Sequence, residues 1–179
     1  MNRHLVILAC LLLACAGPSG GQGQEQQPLP ATQPLPATQP MLLGAASNFS
    51  QGWREPVARG AAELGVVHFR DGMRWPEVER RAGRFEFNSV RATYPARLAA
   101  QGGQLVLTVN FGNPLYDGGH TPHSAQALEA FGAFVASVVE RYPAITAVEV
   151  GNEFNSANFT SGPVREAGIA RRAGYHLAM

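Results

Sequence analysis

The chain contains no lysine: all 14 of its basic residues are arginine, set against 13 acids in 179 residues. Arg3 falls in an N-terminal export segment, and without it the balance is 13 to 13. Such a chain lacks the basic footprint that nucleic acid or an anionic membrane surface demands, which excludes both as main partners. Cysteine is equally scarce. Cys10 and Cys15 are the 2 present, both in the leader, so the folded part has neither disulfides nor thiolate chemistry. The apolar run from Leu5 to Leu13 is too short to span a bilayer. No G-x-G-x-x-G or Walker spacing occurs in the stretch Ala46 to Gly52, where a nucleotide-binding fold would carry it.

What is present divides the chain into three parts. Residues 1–16 read as a signal peptide, with Arg3 before a short apolar core. Leu12-Leu13-Ala14-Cys15 resembles a bacterial lipobox, in which Cys15 becomes the lipid anchor and the only tie to a membrane; Ala14-Cys15-Ala16 also fits ordinary signal cleavage. Either way the protein is exported, and the lipobox places it facing the periplasm or the cell surface. Residues 17–40 are rich in Pro and Gln and repeat the unit Gln27 to Thr32 as Gln33 to Thr38. Regular proline blocks helix and sheet hydrogen bonding, so this part is expected to be an extended tether.

From residue 41 onward short apolar runs alternate with amphipathic stretches. Strands are expected at 42–46, 66–70, 104–110 and 145–150, with helices at 56–64, 88–100 (opened by Asn88) and 124–142 (capped by Ser124 and ended by Pro143). Strands apolar on both faces, separated by helices, imply parallel pairing with right-handed crossovers and an α/β class. A doubly wound sheet and a (β/α) barrel both fit that alternation.

In either fold the chemistry gathers where strands meet their following loops. Those positions hold Asn48, Arg70-Asp71, Asn110 and Asn152-Glu153. The last is the most informative, since the run Val148 to Asn155 sets a carboxylate and an amide side by side just past a buried strand. Glu149, four residues before Glu153 on the same strand face, reads as a paired structural acid, and His68, on the face of Arg70, as a hydrogen-bonded core histidine.

The strand followed by Gly151-Asn152-Glu153 resembles the fourth strand of retaining glycoside hydrolases of clan A, such as families 5 and 39. Arg70 and the stretch Val67 to Trp75, followed by Gly83 to Phe87, are similar to that clan's layout after the second strand. The resemblance covers residues 42–179 and implies a (β/α)8 TIM barrel of which about the first four β/α units are present. It further implies that Glu153 is the general acid/base, that Asn152 hydrogen-bonds the sugar 2-hydroxyl, and that Arg70 lies near the nucleophile. Gly151 departs from the Trp common in relatives, and Phe154 from a Pro.

The chemistry asks for such groups because a glycosidic oxygen leaves poorly unless it is protonated as the bond breaks. A retaining enzyme also needs a second carboxylate about 5–5.5 Å from the first. In clan A that residue ends the seventh strand. A whole barrel takes about 250 residues, whereas Met41 to Met179 is 139, so the expectation is a fragment that stops before its nucleophile. Asn110, the polar residue that ends the third strand, is a further candidate substrate contact, and so are Trp75 and Tyr116, with Trp53 and Phe111, because aromatic planes suit sugar faces. His120 and His123 lack the helical frame of a metal site, so neither metal nor cofactor is expected. The implied partner is an oligo- or polysaccharide with β linkages. The alternative function is a carbohydrate-binding lipoprotein that keeps the cleft without the reaction.

Overall fold

In the computed structural model the described residues are 6–7, 42–110 and 112–179. The leader apart from Val6–Ile7, both cysteines, the repeat-bearing tether and Phe111 lie outside them. The chain divides into two units, residues 10–42 and residues 1–9 with 43–179; the second contains the sheet and the helices.

Its centre is a five-stranded parallel sheet in the order β1-β7-β6-β3-β2. The strands are β1 (Val6–Ile7), β2 (Gly44–Ala46), β3 (His68–Gly72), β6 (Gln104–Val109) and β7 (Ile145–Val150). A separate antiparallel hairpin, β4 (Glu79–Arg81) with β5 (Arg84–Phe85), follows β3. The helices are α1 (Glu55–Glu63), α2 (Trp75–Val78), α3 (Val90–Ala99), α4 (Ala125–Arg141), α5 (Gly162–Glu166) and α6 (Gly168–Ala178). The run β2-α1-β3, β3-α3-β6, β6-α4-β7 thus lays successive strands side by side through helical crossovers, the arrangement of an α/β fold. Among the described residues no helix is long and apolar enough to cross a membrane.

Local chemistry explains the boundaries. Ser124 Oγ accepts from the Ala127 N–H and opens α4, whose Ala127, Phe131, Phe134 and Val138 then fall on one buried face. Pro143 follows the end of α4, where it cannot continue a helix. α3 opens in the same way, but the cap is Ser89 rather than the expected Asn88, because it is the Ser89 Oγ that reaches the Ala92 N–H. The second expected strand runs further than its apolar residues suggest, to Gly72, since Asp71 and Gly72 keep pairing with Leu107 and Thr108 of β6.

Alternation gives the sheet two unlike faces. Phe69, Leu105, Leu107, Val109 and Val148 point into the core with Phe131, Phe134 and Leu98 from the helices. The opposite face carries His68, Arg70, Val106, Thr108, Ala147 and Glu149, and there Arg70 is exposed and Val106 is 36% exposed. His68, Arg70, Thr108 and Glu149 of β3, β6 and β7 therefore share the face opposite the core.

Candidate functional site

The register sets the site. Arg70 pairs with Val106, Gly72 with Thr108, and Thr108 with Glu149, so Arg70, Thr108 and Glu149 lie in neighbouring positions on the open face. Arg70 donates from Nε to Glu149 Oε2 at 2.7 Å and from a terminal nitrogen to Asn152 Oδ1 at 3.0 Å. Thr108 Oγ1 donates to the same Glu149 oxygen at 3.1 Å. The Arg70 hydrogen bond holds the Glu149 carboxyl below the usual carboxylate range; partial burial opposes this, and the Arg70 charge and Thr108 add to it. Glu149 is thus an anion clamped by two strands, in keeping with its reading as a paired acid.

Asn152 is aligned by this clamp. With its Oδ1 taken by Arg70, its Nδ2 is left to donate and makes no hydrogen bond to a described residue. Glu153, next along, is exposed and has φ 44°, a left-handed conformation unusual for a residue with a side chain. Its carbonyl accepts from Ser156 N at 2.6 Å, closing a turn, while its carboxylate has no hydrogen bond to a described residue. Asn110 follows β6 directly, half-buried, and its side chain likewise has no described partner. Three of the expected site residues, Asn110, Asn152 and Glu153, therefore follow the C-terminal ends of β6 and β7, while Arg70 lies in the middle of the neighbouring β3 and reaches Asn152 by its side chain.

Two expected contacts belong elsewhere. Trp75 is 0% exposed, which corrects its assignment as a sugar-stacking residue: it opens α2 and packs among Tyr116, Phe131 and Phe134. Its indole N–H donates to Glu79 Oε2, and Glu79 Oε1 also accepts from Gly83 N at 2.6 Å and Tyr116 Oη at 2.7 Å. Tyr116 is half-buried and stacked on Trp75, with a hydroxyl pKa raised by burial and by its bond to Glu79, so its polar end serves the core. Trp53 remains 41% exposed in the loop after β2, edge-on to Phe49.

Neighbouring acids and histidines hold loops. Asp71 faces the core side and accepts from Ser47 Oγ, Phe49 N and Ser50 Oγ, fastening the loop after β2. Burial raises the Asp117 pKa, but hydrogen bonds from Ser124 and His123 outweigh it and the net shift is downward. His123 Nδ1 stands 3.0 Å from both Asp117 and the Thr121 carbonyl. His68 is half-buried without a described hydrogen-bond partner. No group of three or more His, Cys, Asp or Glu able to hold a metal occurs among the described residues. Separately, a groove of about 400 Å³ lined by Val135, Val139, Val148, Val150 and Met179 lies on the helix side of the sheet.

Thr108 is the site residue that sequence reasoning passed over. Its signal was the alternation along β6, which puts residues 106, 108 and 110 on one face.

No known family's profile and no curated protein matches the chain. Solved structures do. A family 39 glycoside hydrolase from Bacteroides cellulosilyticus superposes with a TM-score of 0.52 at 14% identity, covering 74% of this chain and 29% of its own. A family 5 glycoside hydrolase from Bifidobacterium longum subsp. longum gives 0.50 at 15% identity over 76% of this chain and 41% of its own. A β-galactosidase from the psychrophilic Marinomonas ef1 gives 0.50 at 18% identity over 66% and 23%. The likeness is one of fold: the described residues share the α/β architecture of clan A glycoside hydrolases, and the chain spans well under half the length of each of these proteins.

Proposed function

We propose that this chain is the N-terminal part of a retaining glycoside hydrolase that cleaves O-glycosidic bonds of a β-linked glycan, with Glu153 as general acid/base. The observation that carries the reading is that Arg70 bonds both Glu149 and Asn152, beside Glu153 at the end of β7, in a fold shared with glycoside hydrolases. In this account Asn152, its oxygen taken by Arg70, donates through Nδ2 to a sugar hydroxyl. Glu153 protonates the departing oxygen, then takes a proton from the water that completes hydrolysis. Asn110 and the exposed Trp53 contribute to the sugar-binding wall. The nucleophile comes from a strand outside these 179 residues, and the barrel's remaining β/α units cover the open sheet face. Lipidation at Cys15 and the proline-rich tether would hold the enzyme off a membrane at the periplasmic or outer surface.

A second reading is a carbohydrate-binding protein without turnover, favoured by one observation: the Glu153 carboxylate is exposed and unsupported by any described partner.

The test is leaving-group dependence in the protein expressed from its whole gene. Glu153→Gln is expected to lose about 10²–10⁴-fold in kcat/KM on glycosides with poor leaving groups, while kcat/KM on substrates with an activated phenol, which leaves without protonation, stays close to wild type. Equal losses on both classes would refute the acid/base role. Glycan binding with no turnover in either protein would establish the second reading.

A further inference from the structure

Resting on the acid/base reading of Glu153, we infer that His176 is the positioning residue that sets the Asn152–Glu153 turn. α6 returns to the end of β7, and His176 Nε2 lies 2.6 Å from the carbonyl oxygen of Val150, the last residue of that strand. A carbonyl oxygen only accepts, so Nε2 carries the proton and donates. The same imidazole lies face to face with the Phe154 ring, their centroids 4.7 Å apart and their planes 14° from parallel. His176 therefore grips the segment at both ends, by a hydrogen bond before Gly151 and by a stack after Glu153.

Gly151 lets the three residues meet. Its φ is +80°, and a Cβ there would stand 2.9 Å from the Phe154 ring and 3.3 Å from His176 Nε2. The two departures from the clan A pattern, Gly before Asn-Glu and Phe after it, are thus one arrangement: a side chain at 151 would occupy the space that the Phe154 ring and the imidazole share. Between these anchors Glu153 is held at φ 44°, a conformation that persists only where the surroundings impose it. The Ser156 N–H closes the turn onto the Glu153 carbonyl and reports on its integrity.

The experiment is NMR on the intact chain. The native protein is expected to show a solvent-protected proton on His176 Nε2; an unprotonated Nε2 would overturn the inference even if no variant folds. His176→Phe keeps a ring and loses the donor, whereas His176→Gln keeps a donor. Exchange of the Ser156 amide is expected to accelerate about fivefold to tenfold in His176→Phe and to return to within about twofold of native in His176→Gln, with the β6 amides unchanged in both. Unaltered Ser156 exchange in His176→Phe, or equal acceleration of every amide, would overturn it. In the protein expressed from its whole gene, His176→Phe is expected to lower kcat by about tenfold or more with little change in KM, and His176→Gln to restore it. If Ser156 protection follows His176 while Glu153→Gln leaves turnover unchanged, the acid/base reading falls and the hold on the turn stands.

Discussion

Glu79 offers a sharp test of how the Trp75 region is built, because a carboxylate 1% exposed receives its hydrogen bonds from an indole, a phenol and a backbone amide. Glu79→Gln keeps the shape and removes one acceptor. The arrangement that loses least points the amide oxygen at Gly83 N and Tyr116 Oη and turns the amide NH₂ toward the Trp75 N–H, donor against donor. One charge-assisted bond, about 1.5–3 kcal/mol, is lost and a buried indole donor is stranded at a further cost of about 1–3 kcal/mol. The sum is about 3 kcal/mol or more, a large share of a small domain's stability. Tyr116→Phe removes a single donor and leaves the carboxylate two, so about 1–2 kcal/mol is expected. Urea unfolding at pH 7, followed by the fluorescence of buried Trp75, measures both. A Glu79→Gln loss below about 0.5 kcal/mol, the range of ordinary surface substitutions, or a Tyr116→Phe loss exceeding it, would refute the argument that these rings serve the core.

Two other outcomes follow from the open face of the sheet. The Glu149 pKa is depressed in the folded state, so the stability its pair contributes is present above the ordinary carboxylate pKa and is lost as pH falls through the folded value. Wild-type stability is expected to decline below about pH 4.3 more steeply than that of Glu149→Gln; because Arg70 is 45% exposed, the difference at pH 7 is about 1 kcal/mol or less, and coincident pH profiles of thermal unfolding would contradict it. Gly151→Ala combines a left-handed backbone with a contact at 2.9 Å and is expected to cost about 1–3 kcal/mol, read by the same unfolding measurement against a Gly174→Ala control, where a Cβ meets nothing within 4 Å.

Where local chemistry decides, the sequence was legible. β7 occupies 145–150 and α4 starts at the Ser124 cap, because an apolar run bounded by Pro143 and Gly151, and a serine before a helical stripe, leave few alternatives. The placement of Asn110, Asn152 and Glu153 just past adjoining strands followed from the same alternation, whereas Arg70, expected at a strand end, lies in the middle of β3. What escaped depended on contacts across the fold. The short α2 and the β4–β5 hairpin are built around Glu79, whose partners at 75, 83 and 116 are brought together by tertiary packing, so Trp75 read as a loop aromatic although it is a core residue. β3 continues through polar Asp71 because that side chain is satisfied by Ser47, Phe49 and Ser50 from another loop. The bond between His176 and the Val150 carbonyl joins residues 26 apart in sequence, a distance at which no local pattern speaks.

The most direct measurement is the anomeric configuration of the first sugar released from an aryl β-glycoside by the protein expressed from its whole gene, followed by proton NMR before mutarotation. A β-anomer, formed by the wild type and abolished on poor leaving groups by Glu153→Gln, is the result a two-carboxylate retaining site predicts. An α-anomer, or release from poor-leaving-group glycosides that is indifferent to Glu153, would contradict it.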